Sequence, residues 1–169
     1  MAAGETMQAE TEQLNLTSPA PEAERAVAAL RARVLPGIAS LRDLVLSLEV
    51  RGEATAIQAF TEQGAEEISY AELLARSRRI AARFAALGLE PGGKAGLLAA
   101  NGADWIVCRL ALILCDVTCV PVDTDISAAG LQAILENSAA PRLLVAADYR
   151  ELAEQAVEGL DGRVALWPI

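Results

Sequence analysis

The sequence contains no histidine. That removes Ser-His-Asp and Cys-His catalysis and the commonest metal ligand together. Lysine occurs once, at Lys94. Aromatic residues make up only 4% of the chain, and basic residues are outnumbered by acidic ones, 14 to 23. The resulting net charge of −9 repels phosphate backbones and anionic lipid surfaces, so nucleic acid is excluded as a partner. No N-terminal apolar core of a signal peptide is present, since residues 1–16 hold Glu5, Glu10 and Glu12 and no basic residue. The longest apolar run, residues 105–122, is broken by Arg109, Asp116 and Pro121. It reads as a buried helix followed by a buried strand, and no transmembrane segment is expected. Neither G-x-x-x-x-G-K-[ST] nor G-x-G-x-x-G occurs.

What is present is a folding composition. Apolar residues form 53% of 169 residues, enough for one domain with a core. Cys108, Cys115 and Cys119 are odd in number, lack metal-ligand spacing and lie among apolar neighbours. They read as small core hydrophobes in a reducing, cytoplasmic compartment.

Residues 1–39 read as a flexible lead-in able to carry a helix from Pro19 through Arg33. Ser40 then opens a helix with Leu41, Leu44, Val45 and Leu48 on one face, stopped at Arg51-Gly52. Residues 55–60 and 66–69 read as a short hairpin turning at Gln63-Gly64. Ser69 and Glu72 have capping-box spacing. The helix they start places Leu73, Leu74, Ile80, Ala81, Phe84 and Leu87 on one face and Glu72, Arg76, Arg79 and Arg83 on the other. Gly88 is its C-terminal stop, and Pro91-Gly92-Gly93 turns the chain into a strand at residues 95–99.

A rhythm follows. Strands start near Ala95, Thr118, Arg142 and Val164, with helical patterns at residues 102–115, 127–137 and 148–159 between them. Asp148 and Glu151 have capping spacing at the third. This alternation predicts an α/β fold: a parallel, doubly wound, flavodoxin-like sheet with helices on both faces. Pro121 predicts a strand end, an edge or a bulge. No closing helix follows the last strand, so the sheet is expected to be incomplete, and an open edge favours self-association into a homo-oligomer.

Ile68-Ser69-Tyr70-Ala71-Glu72-Leu73 resembles the first core motif of the adenylate-forming (AMP-binding) superfamily. Asn101, Asp104 and Trp105 are similar to its N..EW segment, and LILCDVTCVPVD at residues 112–123 to its second core motif, usually close to LKAGAAYVPID. LQAILENSAA, from Leu131, matches L..IL.DS.A, and the strand RLLVA follows. The motifs come in family order, and the resemblance covers residues 41–148. Cys115-Asp116 departs from the usual Ala-Gly, and Gly93-Lys94 from Asp-Arg or Asp-Lys.

The resemblance implies that residues 40–169 are the N-terminal part of the large AMP-binding domain of an acyl-CoA-synthetase-like ligase, whose setting includes fatty-acid metabolism. Such a parent joins a carboxylic acid to ATP, giving an acyl-adenylate, and passes the acyl group to CoA or a carrier thiol. ATP, Mg²⁺ and CoA are the parent's cofactors. The Ser/Thr/Gly-rich phosphate loop, the Tyr-Gly-x-Thr-Glu motif, the ribose-binding Asp and the catalytic Lys of the family have no counterpart here, and Lys94 lies in the wrong part of the pattern. No catalytic, cofactor-binding or metal-binding residue and no bound cofactor is therefore expected of this segment alone, whose partner would be the remainder of the parent chain. A stand-alone, non-catalytic α/β interaction or ligand-binding module is the alternative, and the reading frame beyond Ile169 separates the two.

Four features invite a site reading. Asp123-Thr124-Asp125 follows a strand, where carboxylates can hold Mg²⁺ or a ligand hydroxyl; a turn with Asp125 or Ser127 capping the next helix is the stronger reading. Arg76, Arg78, Arg79 and Arg83 could hold an anion such as a CoA phosphate, but fit better as a solvated helix face. Trp105 reads as core or interface before substrate stacking. Pro91-Gly92-Gly93 precedes a strand and cannot offer phosphate a helix N-terminus.

Overall fold

The computed structural model describes residues 21–34, 37–61 and 64–169. The chain forms two units, residues 1–38 and 39–169. The first contains helix α1 (Pro21–Val34). It starts two residues after the Pro19 expected from the sequence; residues 1–20 lie outside the described part.

The second unit opens with α2 (Leu41–Ser47). Ser40 caps it through a complete capping box with Asp43, and the chain continues as a 3-10 turn to Arg51. Of the expected apolar face only Val45 is buried, while Leu41 is 60% exposed. The helix is seven residues long, and the side chain it buries is Val45, against Leu74 and Leu114. Strands β1 (Thr55–Thr61) and β2 (Gly64–Ser69) pair antiparallel, as the expected hairpin does, though β2 begins two residues earlier. The rest of the predicted turn at Gln63 lies outside the described residues.

Helix α3 (Tyr70–Ala86) starts at Ser69, whose Oγ accepts the Glu72 amide at 3.2 Å. The reciprocal half of the expected box is absent because the Glu72 carboxylate accepts from Arg76 Nε at 3.0 Å. An i,i+4 ion pair thus competes with the cap. The helix ends in a Schellman motif: Gly88, at φ 83°, donates to Ala85, and Leu89 donates to Phe84. Leu87, expected on the buried face, is 50% exposed beside that stop. Pro91-Gly92 then forms a type II turn closed by the Gly93 amide on Glu90, with Gly92 at φ 78°.

The core is a four-stranded parallel sheet: β3 (Lys94–Leu98), β4 (Thr118–Val122), β5 (Arg142–Val145) and β6 (Ala165–Pro168), in spatial order β4-β3-β5-β6. Helices α4 (Ala103–Leu114), α5 (Ala128–Ser138) and α6 (Arg150–Glu158) connect them. Alternate strand residues face opposite layers. Leu97, Leu144 and Cys119 pack with Phe84 of α3 and Ala111 and Leu112 of α4. Leu98, Leu143 and Val145 pack with Leu131 and Leu135 of α5 and Ala153 and Ala156 of α6. Two covered faces explain why β3 and β5 read as continuous apolar runs. The doubly wound, flavodoxin-like expectation holds.

Two further local expectations fail. Asp148 caps nothing: a 3-10 turn over Ala147–Tyr149 precedes α6, which begins without a side-chain cap. Strand β5 ends at Val145, one residue short of the RLLVA run, because that turn begins at Ala147. Pro121 does lie on an edge strand. The Thr118 amide points inward to Gly93, so by alternation the position of Pro121 points outward, where a missing N–H costs no ladder bond. On the other edge Ala165 and Ile169 donate inward, which puts Pro168 in the same outward position on β6.

Candidate functional site

The strand order reverses at β3: one crossover leaves it for β4, and the next passes back over it to β5. In open α/β sheets such a switch point forms a crevice beyond the carboxyl ends of the strands, where ligands bind. Here the crevice has a volume of about 430 Å³, between the segment after β3 and the segment after β5. Asn101, Asp104 and Trp105 enter from the β3–α4 connection, Asp148 and Tyr149 from the turn after β5, and Glu66 and Arg76 from the hairpin and α3. A neighbouring hollow of about 340 Å³ extends past Asn101 and Trp105 to Pro121, Asp123 and Thr124. Both lie at the same end of the sheet.

The charge in the crevice is negative. Glu66, Asp104 and Asp148 face one guanidinium, Arg76, which is already paired with Glu72. The hydrogen bond that Arg76 donates to Glu72, then the nearby charges of Glu72, Glu66 and Asp104, hold the Arg76 pKa above its ordinary value against the opposing effect of burial. The first turn of α4 already carries Asp104, which complements the helix dipole. No group of three or more carboxylate, thiol or imidazole side chains suited to a metal occurs among the described residues. These residues therefore do not fit a triphosphate or its Mg²⁺ by themselves.

Lys94 is at the opposite end of the sheet. Its Nζ donates to the Ser138 carbonyl at 2.9 Å, at the C-terminus of α5, a structural role for a cation at a helix end. The arginine cluster is dispersed: Arg76 is held by Glu72, and Arg78 makes a two-pronged contact with Glu49 at 3.0 and 3.2 Å. Arg79 and Arg83 are exposed. Asp123 Oδ1 accepts the Asp125 amide at 3.1 Å, and Ser127 caps α5, so the turn-and-cap arrangement is the one adopted. Trp105 packs against the Phe84–Leu97 cluster while lining both hollows.

The cysteines are free thiols. Burial, helped by the charge of Asp104, pushes Cys108 up to about 11. Burial also raises Cys115 and Cys119, the latter against a hydrogen bond from Arg109. Sequence reasoning named Asn101 and Asp104 only as motif residues, weighed Trp105 as core or interface before substrate stacking, and missed that Glu66, Asp148 and Tyr149 converge on them. The missing signal was strand order, since only the β4-β3-β5 reversal brings those connections together.

The family model described as AMP-binding enzyme matches residues 46–166. Among curated proteins, a nonribosomal peptide synthetase of Claviceps purpurea is 35% identical over 64% of this chain, and surfactin synthase subunit 1 of Bacillus subtilis is 30% identical over 62%. The chain spans only 5% and 3% of their lengths. Among solved structures, an anthranilate CoA ligase in complex with anthranoyl-AMP superposes with a TM-score of 0.69 at 22% identity, covering 82% of this chain and 26% of that one. The adenylation domain of a carboxylate reductase from Mycobacterium chelonae gives 0.67 at 23% identity, covering 90% and 29%. These likenesses share one fold, and the family match spans most of the second unit. The chain belongs to the AMP-binding enzyme family.

Proposed function

We propose that this chain is the N-terminal scaffold segment of an ATP-dependent acyl-activating ligase and is not catalytic alone. The reaction is the parent's: a carboxylate attacks ATP to give an acyl-adenylate and pyrophosphate, and the acyl group then passes to the thiol of CoA or of a carrier. The observation that carries this reading is the division of charge across the sheet. The carboxyl-edge crevice, where a ligand would sit, has a carboxylate excess and no uncommitted cation. The sole lysine holds a helix end at the far side. Stabilising the charge that develops on transferring phosphates needs cations or metal aimed at them. Those groups must come from the remainder of the parent, together with ATP, Mg²⁺ and CoA.

In this reading residues 39–169 supply a wall. Asn101 and Trp105 present one amide and one indole to the ligand space, and the parallel sheet fixes their positions. The cytoplasm is the setting we propose, consistent with three free thiols. The test joins this segment to an adenylating remainder that carries the phosphate loop. Carboxylate-dependent exchange of pyrophosphate into ATP is expected from the joined polypeptide and not from that remainder lacking residues 39–169. Full exchange without the segment would refute the scaffold role.

A further inference from the structure

Beside the outer edge of β4 lies a crevice of about 320 Å³, separate from the switch point. Its wall carries two guanidinium groups, Arg109 of α4 and Arg42 of α2, and its other polar groups include Ser40, Thr118, Asp116 and Cys119. Arg42 gives one nitrogen to Asp116 at 2.9 Å, and half of its side chain remains exposed. Arg109 is half-buried and lines the crevice beside Cys119, where its positive charge favours the thiolate. It forms no ion pair with a carboxylate among the described residues.

A guanidinium has five donors, and a neighbouring thiol is a weak partner for any of them. The local balance is two positive groups against one negative, on a chain of net charge −9. The motif pattern that this stretch resembles has tyrosine where Cys119 stands. Cys119 lines the crevice and is 8% exposed.

We infer that this crevice is a binding site for a small phosphate-type oxyanion, held by the forks of Arg109 and Arg42 with the Ser40 and Thr118 hydroxyls beside them. Arginine suits this role because its planar donors match an oxyanion two at a time. The assignment is independent of the proposed function, since it concerns the opposite flank of α4 and no step of acyl activation.

The experiment titrates the 169-residue chain with inorganic phosphate at constant ionic strength, followed by calorimetry. Glycerol 3-phosphate forms a second arm that separates a free-ion site from one open to phosphate esters. Saturable binding is expected, weakened at least tenfold by Arg109→Met and unchanged by Arg83→Met on α3. Absence of saturable phosphate binding, or equal loss in both variants, overturns the assignment. A second measurement needs no variant of Arg109: phosphate should slow alkylation of Cys119 severalfold, with Cys119→Ser identifying the labelled site. An unchanged alkylation rate at saturating phosphate would also overturn it.

Discussion

Arg42 Nη1 donates to an Asp116 carboxylate oxygen at 2.9 Å, and Asp116 makes this contact from a backbone φ of 56°. The residue stands where the motif it resembles has glycine. The left-handed turn that glycine would adopt freely is therefore retained, and the added side chain ties α2 to the α4–β4 connection. The preceding Cys115 does not hold the helices apart, since its thiol donates to the Ala81 carbonyl at 3.4 Å.

Replacing Asp116 should separate the two effects. A half-exposed ion pair contributes about 0–1 kcal/mol, while a left-handed non-glycine residue costs about 1–2 kcal/mol. Asp116→Ala loses the pair and keeps the strain, whereas Asp116→Gly loses both. Urea unfolding should rank Gly above Ala by about 1 kcal/mol. An alanine variant as stable as the glycine variant would contradict this account of the turn.

Gly96, in the central strand β3, is closely approached by its neighbours. A Cβ there would meet Leu143 Cδ1 at 2.8 Å and Leu135 Cδ2 at 3.4 Å. Both neighbours are side-chain methyls, so alanine can be accommodated by a small shift. Valine adds further bulk to a packed layer and should cost about 1–3 kcal/mol. Denaturant midpoints of Gly96→Ala and Gly96→Val compare the two directly.

The raised Cys108 pKa predicts a loss of stability in alkali. The unfolded thiol titrates near 9.0 and the folded one at about 11. Below pH 9 both states keep the proton. Between 9 and 11 the unfolded chain releases it while the folded chain retains it, so stability falls as pH rises through that window. Comparing Cys108→Ala with the parent sequence from pH 8 to pH 11 isolates this contribution, the variant keeping only the fall due to Cys115 and Cys119.

Both sheet edges bear a proline at an outward-facing position, Pro121 on β4 and Pro168 on β6. Each removes a donor that an added strand would need. The homo-oligomer that an open edge suggests is thereby disfavoured at the edges. Light scattering at high concentration should show a monomer, and Pro121→Val should increase association. A concentration-dependent dimer of the unaltered chain would show that another surface pairs.

Much of the fold could be read from the residues. The regular spacing of apolar segments from Ala95 to Val164 announced the parallel sheet, and Ser40, Ser69 and Ser127 marked three helix starts. These are local signals, carried by periodicity and capping chemistry. Asp148 misled because a capping pattern does not distinguish a helix start from a 3-10 turn before it. Leu41 and Leu44 misled because periodicity reveals a shared face without revealing whether anything covers it. The crevices were the least legible. Glu66, Arg76, Asp104 and Asp148 are far apart in sequence, and strand order brings them to one place. Arg109 and Cys119 meet because α4 packs back on the strand that follows it.

The central claim is that the acyl-activating chemistry does not belong to these residues alone. Its most direct test is carboxylate-dependent exchange of radiolabelled pyrophosphate into ATP, with Mg²⁺, by the pure 169-residue chain. The account predicts exchange no faster than the protein-free control across a panel of aliphatic, aromatic and amino acids. Exchange above that control, dependent on one carboxylate and proportional to chain concentration, would contradict it.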